Sequence, residues 1–157
     1  MPFDRVIPVV DLRVRGLCVK PYPNHPGGCP NFNKKPGCPP AAPRLTEAFD
    51  LEQPCYAIWT SFNFGAHVAA MRVKHPDWSQ RQLECCLYWQ PKARKLLEAV
   101  IAAFRQAHNT NETCLRVERC PEAMGLDVTA TMAKLGVVLE WPPQHYTTHV
   151  AFAGTPR

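Results

Sequence analysis

At 157 residues, with 46% hydrophobic and 20% charged residues, the chain has the length and composition of one globular domain. This balance excludes wholesale disorder, and no stretch approaches the roughly 18 apolar residues of a membrane span. Asp4 lies where a secretion signal carries only positive charge, so we expect a cytoplasmic protein with no membrane partner.

The net charge of +5 is unevenly distributed along the chain. Residues 1–44 carry +5 and residues 67–106 carry +4, and the other segments are acidic. A basic excess of this kind can attract nucleic acid, a nucleotide or another anion, but it also occurs on ordinary solvated surfaces. An anionic partner is therefore allowed and not required.

The first third of the chain combines one short strand with a long loop. Residues 3–10 favour a strand that Pro8 confines to an edge. Residues 18–43 hold eight of the 17 prolines, so they can continue neither a helix nor a central strand. A loop of this length inside a compact domain is usually functional or disordered, and its cysteines offer a way to order it. A short helix is expected at residues 45–49.

The remaining chain alternates predicted strands and helices. Aromatic and β-branched runs predict strands at residues 56–64, 137–140 and 146–152. Apolar spacing and capping residues predict helices at residues 66–74, 92–107 and 127–136, and a capping box from Asp77 to Gln80 predicts a further helix that runs toward Tyr88. We therefore predict a single α/β domain over residues 1–157, with helices packed on a small mixed sheet and a long metal-binding loop.

The eight cysteines are the most unusual feature of the composition. Reducing compartments keep thiols free, which favours metal ligands and core residues over a disulfide framework. Cys18, Cys29 and Cys38 lie in the proline-rich loop, where thiolates and backbone N–H groups suit a metal cluster. Close C-x-x-C pairs, which are typical of structural zinc sites, are not present in the sequence. Zinc is therefore the second choice, after an iron–sulfur cluster.

Two segments resemble an uncharacterised family of predicted metal-binding proteins, a domain of unknown function. CPNF at residues 29–32 and CPP at residues 38–40 are similar to the C-P-x-Y-G and C-P-P segments of that family. RCPEAMGLDV at residues 119–128 is similar to its late C-R-x-P…S-M-E-A-x-G-I-D-V segment. The family also carries a dense C-x-x-C-x-x-C array, of which this chain keeps only Cys114 and Cys120, so a second cluster is not expected.

The resemblance implies that Cys29 and Cys38 are metal ligands and that Cys120 is the ligand from the late segment. With Cys18 from the loop, these four residues are the predicted metal-binding and cofactor-binding set, and Cys114 and His25 are its alternates. The expected cofactor is an iron–sulfur cluster of the 4Fe-4S type, with zinc as the alternative. Cys55 and at least one of Cys85 and Cys86 are instead predicted to be core residues.

A basic surface is predicted around residues 78–95. Trp78 and Trp89 are interleaved there with basic residues, as in surfaces that stack bases and neutralise phosphates, although large aromatic residues more often pack helix ends. The candidate nucleic-acid-binding residues are Arg81, Lys92, Arg94 and Lys95.

Three functions remain open at this point. An iron–sulfur protein would transfer electrons to a redox partner or activate a substrate. A zinc-stapled module would bind nucleic acid or a nucleotide through the basic surface. A cysteine enzyme without metal would use a thiolate nucleophile.

Overall fold

The computed structural model describes residues 2–22 and 24–157, and this part of the chain is a single small α/β domain. Its sheet has four strands, β1 (Phe3–Arg5), β2 (Tyr56–Asn63), β3 (Arg116–Glu118) and β4 (Tyr146–Gly154), in the order β1-β2-β4-β3. The long central pair runs from Tyr56 opposite Ala153 to Asn63 opposite Tyr146.

The sheet is antiparallel, so the predicted mixed sheet is wrong. Each of the three neighbouring pairs is antiparallel. A parallel pair needs a crossover that returns the chain to the end where the previous strand began. Here neighbouring strands run in opposite directions, so no such crossover is needed.

The α-helices lie close to the positions predicted from the sequence. The α-helices are α1 (Leu45–Ala48), α2 (Phe64–Lys74), α3 (Gln80–Leu83), α4 (Gln90–His108) and α5 (Val128–Ala133). Three 3₁₀ helices cover Leu12–Val19, Cys86–Tyr88 and Pro121–Met124. The helix predicted to open at Asp77–Gln80 and run toward Tyr88 is divided, because α3 ends at Leu83 and the 3₁₀ helix Cys86–Tyr88 follows.

Capping explains where several helices begin. The Asn63 side chain accepts the Ala66 N–H at 2.9 Å at the start of α2, and Asp127 accepts the Ala130 N–H at 2.9 Å at the start of α5. The capping box of α3 is formed by Ser79 and Gln82, two residues later than the box predicted at Asp77 and Gln80. Short polar side chains therefore define these boundaries.

Helix α4 covers one face of the sheet. Its buried residues Ala93, Leu97, Ile101 and Phe104 recur at three- and four-residue steps, as the sequence predicts. They pack against alternate residues of β2 and β4, including Ile58, Ala151 and Ala153. The opposite face of the sheet packs a larger core from α1, α5 and the third 3₁₀ helix, centred on Phe49, Phe152, Met124 and Met132.

Three sequence predictions about strands differ from the structure. The first strand ends at Arg5, and Val10 makes only an isolated bridge to Leu126. Residues 137–140 form no strand, because the Glu140 carboxylate accepts the N–H groups of residues 144–146 and closes a loop before β4. Strand β3 was missed because it is only three residues long.

A helix that spans a lipid bilayer must be both long and apolar. Within residues 2–22 and 24–157, no helix is both long enough and apolar enough to cross a membrane.

We expect the α4 contact to dominate stability. Phe104 is fully buried, and its ring centroid lies 5.4 Å from that of Phe3 and 5.3 Å from that of Tyr56. Phe104→Ala should lower the free energy of unfolding by about 3–5 kcal/mol in urea denaturation, because it leaves a cavity in the core. The control Leu96→Ala, on the exposed side of the same helix, should cost less than about 1 kcal/mol. Equal losses would contradict this packing.

Candidate metal centre in the cysteine loop

Successive turns shape the predicted metal-binding loop, residues 18–43, apart from Pro23, which lies outside the described residues. The Cys29 N–H donates to the Cys18 carbonyl at 2.7 Å, and the Phe32 N–H donates to the Cys29 carbonyl at 3.2 Å. The Ala42 N–H donates to the Cys38 carbonyl at 2.9 Å. Cys29 and Cys38 therefore lie in turns, whereas Cys18 lies near the end of the 3₁₀ helix Leu12–Val19, and the predicted irregular loop is confirmed only beyond that helix.

Gly28 permits the closest approach in this loop. Its φ is +82°, and a Cβ at this position would lie 2.7 Å from the Cys18 carbonyl oxygen. A residue with a side chain would be strained in this conformation and would push the backbone of Cys18 away. Gly28 therefore allows the Cys18 and Cys29 segments to stay in contact.

Arg15 connects the loop to the late cysteine segment. Its guanidinium donates to the carbonyls of Ala42 at 2.7 Å, Pro40 at 3.2 Å and Ala123 at 3.0 Å. The first two carbonyls belong to the end of the loop, and the third belongs to the 3₁₀ helix that follows Cys120. Arg15 thus brings together segments more than 80 residues apart in sequence.

The loop thiols lie within electrostatic reach of one another. The pKa of Cys18 is raised by desolvation first and then by the negative charges of Cys29 and Cys38, while Arg15 lowers it. Such effects are strongest within about 10 Å, the distance over which salt screens exposed charges. These mutual charge effects place Cys18, Cys29 and Cys38 in one region of the protein, which we call the cysteine cluster.

Cys120 joins this cluster from the late segment. Desolvation raises its pKa most, followed by the charges of Glu122, Glu118 and Cys38, while Arg94 lowers it. The residue is exposed, so its thiol lies at the surface of the cluster. The late ligand that the resemblance implies is thus near Cys38.

Glu122 is a member of this region that the sequence analysis missed. Its charge raises the pKa of both Cys18 and Cys120. The residue is solvent-accessible, yet desolvation raises the pKa of its carboxyl, as expected for a side chain that lines a concave surface. No motif marks this glutamate, because only the fold brings it beside Cys18.

The two alternate ligands lie in different places. His25 stacks on Tyr22 with ring centroids 4.5 Å apart, and the pKa of Tyr22 is raised by desolvation and then by Cys29, so His25 lies beside the loop thiols. Cys114 instead lines a surface cavity of about 500 Å³ with Tyr56 and His108. Cys114 and Cys120 flank β3 at its opposite ends.

The other cysteines have packing roles. Cys55 is 4% exposed and belongs to the core that contains Phe49 and Phe152, as predicted. Cys86 packs at the edge of a smaller hydrophobic cluster with Phe64 and Trp89. Cys85 directly precedes the 3₁₀ helix Cys86–Tyr88. All eight cysteines are free thiols.

In the part of the chain that the structure describes, no group of three or more His, Cys, Asp or Glu side chains is placed to hold a metal ion.

The predicted nucleic-acid-binding residues occupy two helices. Arg81 lies in α3, and Lys92, Arg94 and Lys95 lie exposed in the first turns of α4. Trp78 stacks on His75 with ring centroids 3.9 Å apart. Trp89 is only 9% exposed and packs in the interior, so it offers no face for a base.

Comparisons with known proteins found no similarity. No protein-family model, no curated protein and no solved structure matches the chain.

Loss of Arg15 should loosen the loop. Arg15→Gln removes charged donors to three carbonyls, so we expect chymotrypsin, which can cleave the loop after Phe32, to cut it about tenfold faster. The control is Arg13→Gln, whose exposed side chain pairs with Asp11 at 2.7 Å. Equal cleavage rates in both variants would show that Arg15 does not hold the loop.

Proposed function

We propose that this protein binds an iron–sulfur cluster through Cys18, Cys29, Cys38 and Cys120. The observation that supports the proposal is the electrostatic proximity of three loop thiols and one thiol from the distant late segment. Four thiolates are the usual ligand set of such a cluster. The resemblance of both segments to a predicted metal-binding family is in keeping with this proposal.

The chemistry of the donors favours a cluster over a zinc ion. The set is made of thiols and contains no close C-x-x-C pair of the kind that is typical of structural zinc sites. When bound, the cluster would supply electron transfer or Lewis-acid activation of a substrate. Metal binding in this proposal includes a rearrangement of the loop, as is common where flexible segments supply the ligands.

The protein residues around the thiols have separate tasks. Arg15 fixes the loop against the late segment and lowers the pKa of Cys18, and Arg94 lowers the pKa of Cys120. Both cations therefore favour the thiolate forms that bind metal. Because Cys120 is exposed, a redox partner or substrate would reach the cluster from that side. The thiols stay available in a reducing compartment such as the cytoplasm.

The second candidate is a zinc-stapled module that binds nucleic acid or a nucleotide. The observation that favours it is the exposed group of cations Lys92, Arg94 and Lys95 at the start of α4. In this candidate the metal only orders the loop, and phosphate contacts give binding that weakens steeply with salt.

The test is the metal content of protein purified without oxygen. The proposal expects iron and acid-labile sulfide in stoichiometric amounts, whereas the second candidate expects zinc. Cys29→Ser and Cys38→Ser should each lose most of the metal, at least about tenfold in affinity, because a serine oxygen is a poorer ligand for iron. Cys120→Ser tests the late segment separately.

The matched control is Cys114→Ser, which makes the same chemical change at the other end of β3 and should keep the metal. Full metal content in the Cys29 and Cys38 variants would reject the site. Protein with neither iron nor zinc, combined with rapid alkylation of a cysteine, would favour a thiol enzyme instead.

A further inference from the structure

A patch beneath the start of α4 contains buried polar atoms with unmet hydrogen-bonding capacity. Among the described residues, three buried side-chain atoms have no hydrogen-bond partner, and they are His67 Nε2, Thr147 Oγ1 and His149 Nδ1. Buried polar atoms are nearly always paired in folded proteins, and unpaired ones are costly. A group of three therefore calls for a physical explanation.

The three residues surround the same aromatic pair. Phe62 and Trp89 stack with ring centroids 5.9 Å apart. Thr147 lies directly opposite Phe62 in the β2–β4 register. The His67 ring lies 6.0 Å from Phe62, and the His149 ring lies 6.2 Å from Trp89. The three unpaired atoms thus belong to one place in the fold.

That place faces the beginning of α4. Alternation along β4 puts Thr147 and His149 on the same face as Ala151, which packs against α4. Trp89 is the N-cap of this 19-residue helix and makes no capping hydrogen bond with its side chain. Thr147 is only 8% exposed, so its hydroxyl is directed into the interior at this end of the helix.

The electrostatic field at the patch is positive. Burial and then the charge of Lys92 lower the pKa of His67, and burial and then Arg94 lower the pKa of His149. Neither cation has an ion-pair partner among the described residues. The N-terminus of α4 adds further positive potential. A metal cation is disfavoured here, whereas an anion would be stabilised.

We propose that this patch, formed by His67, Thr147, His149, Lys92 and Arg94, binds a small oxyanion such as the phosphate or carboxylate group of a ligand. The threonine hydroxyl and the two imidazole nitrogens donate hydrogen bonds to the anion, and the two cations neutralise it. Lys92 and Arg94 are exposed and both histidines are half-buried, so the ligand enters from the side of α4.

The oxyanion site adjoins the proposed metal centre. Arg94 acts electrostatically on His149 and also on Cys120. An anionic ligand on the patch would therefore lie within reach of the same arginine that faces the cysteine cluster. The inference rests on the unpaired atoms and the cations, so it stands whether or not the cysteines hold a metal.

The test is titration of the full-length protein with inorganic phosphate at constant ionic strength, followed by the NMR signals of the histidine rings. We expect saturable shifts of the His67 and His149 signals. Thr147→Val and Arg94→Gln should each weaken phosphate binding about tenfold, the effect of one lost hydrogen bond or charge contact. Without phosphate, Thr147→Val should raise the melting temperature, because it removes an unpaired buried hydroxyl.

The matched control is Thr148→Val, since the neighbouring Thr148 hydroxyl already has a partner in Ser61 at 3.2 Å. It should leave phosphate affinity unchanged. Saturable shifts with acetate, with a nucleoside monophosphate or with a short single-stranded oligonucleotide would support the site and identify the source of the oxyanion.

Two results would overturn the inference. One is the absence of saturable shifts at His67 and His149 with phosphate and with acetate. The other is loss of phosphate binding in Cys29→Ser while Thr147→Val still binds normally, which would place the anion on the metal. Retained phosphate binding in a metal-free Cys29→Ser protein would support the site and separate it from the cluster.

Discussion

The arrangement of the whole cysteine region depends on the guanidinium of Arg15. The loop has few large apolar residues, so burial contributes little to its order. The planar guanidinium instead satisfies three backbone carbonyls from two segments, which a lysine ammonium could not do in the same fixed geometry. The end of the loop, just after Cys38, is thereby held against the helix that follows Cys120.

Two arginines connect the cysteine cluster with the proposed oxyanion patch. Arg15 acts on Cys18, and Arg94 acts on Cys120 and on His149 of β4. Their charges partly offset the desolvation that raises the pKa of both thiols, and they would also favour a bound anion. The charges of Lys92, Arg94 and Lys95 suggest nucleic-acid binding, but Trp89 at the start of α4 is buried and cannot stack on a base. The same charges would therefore fit a smaller anion equally well.

The fold was largely predictable where local patterns are strong. The apolar stripe of α4, the aromatic run of β2 and the cap at Asp127 each act through neighbours in sequence. Strand direction depends on how distant segments meet, and so the antiparallel sheet was not foreseen. The candidate site was also predictable only in part. Its cysteines can be read from the sequence, whereas the positions of Glu122 and of the unpaired Thr147 hydroxyl depend on contacts that only the folded chain makes.

The unequal strand lengths have a consequence for behaviour at high concentration. The central strands β2 and β4 span eight and nine residues, whereas the edge strands β1 and β3 span three each. The edges also carry charged side chains, Asp4 and Arg5 on one side and Arg116 and Glu118 on the other. Short, charged edges offer neighbouring molecules little backbone to pair with, which opposes fibril growth through sheet extension.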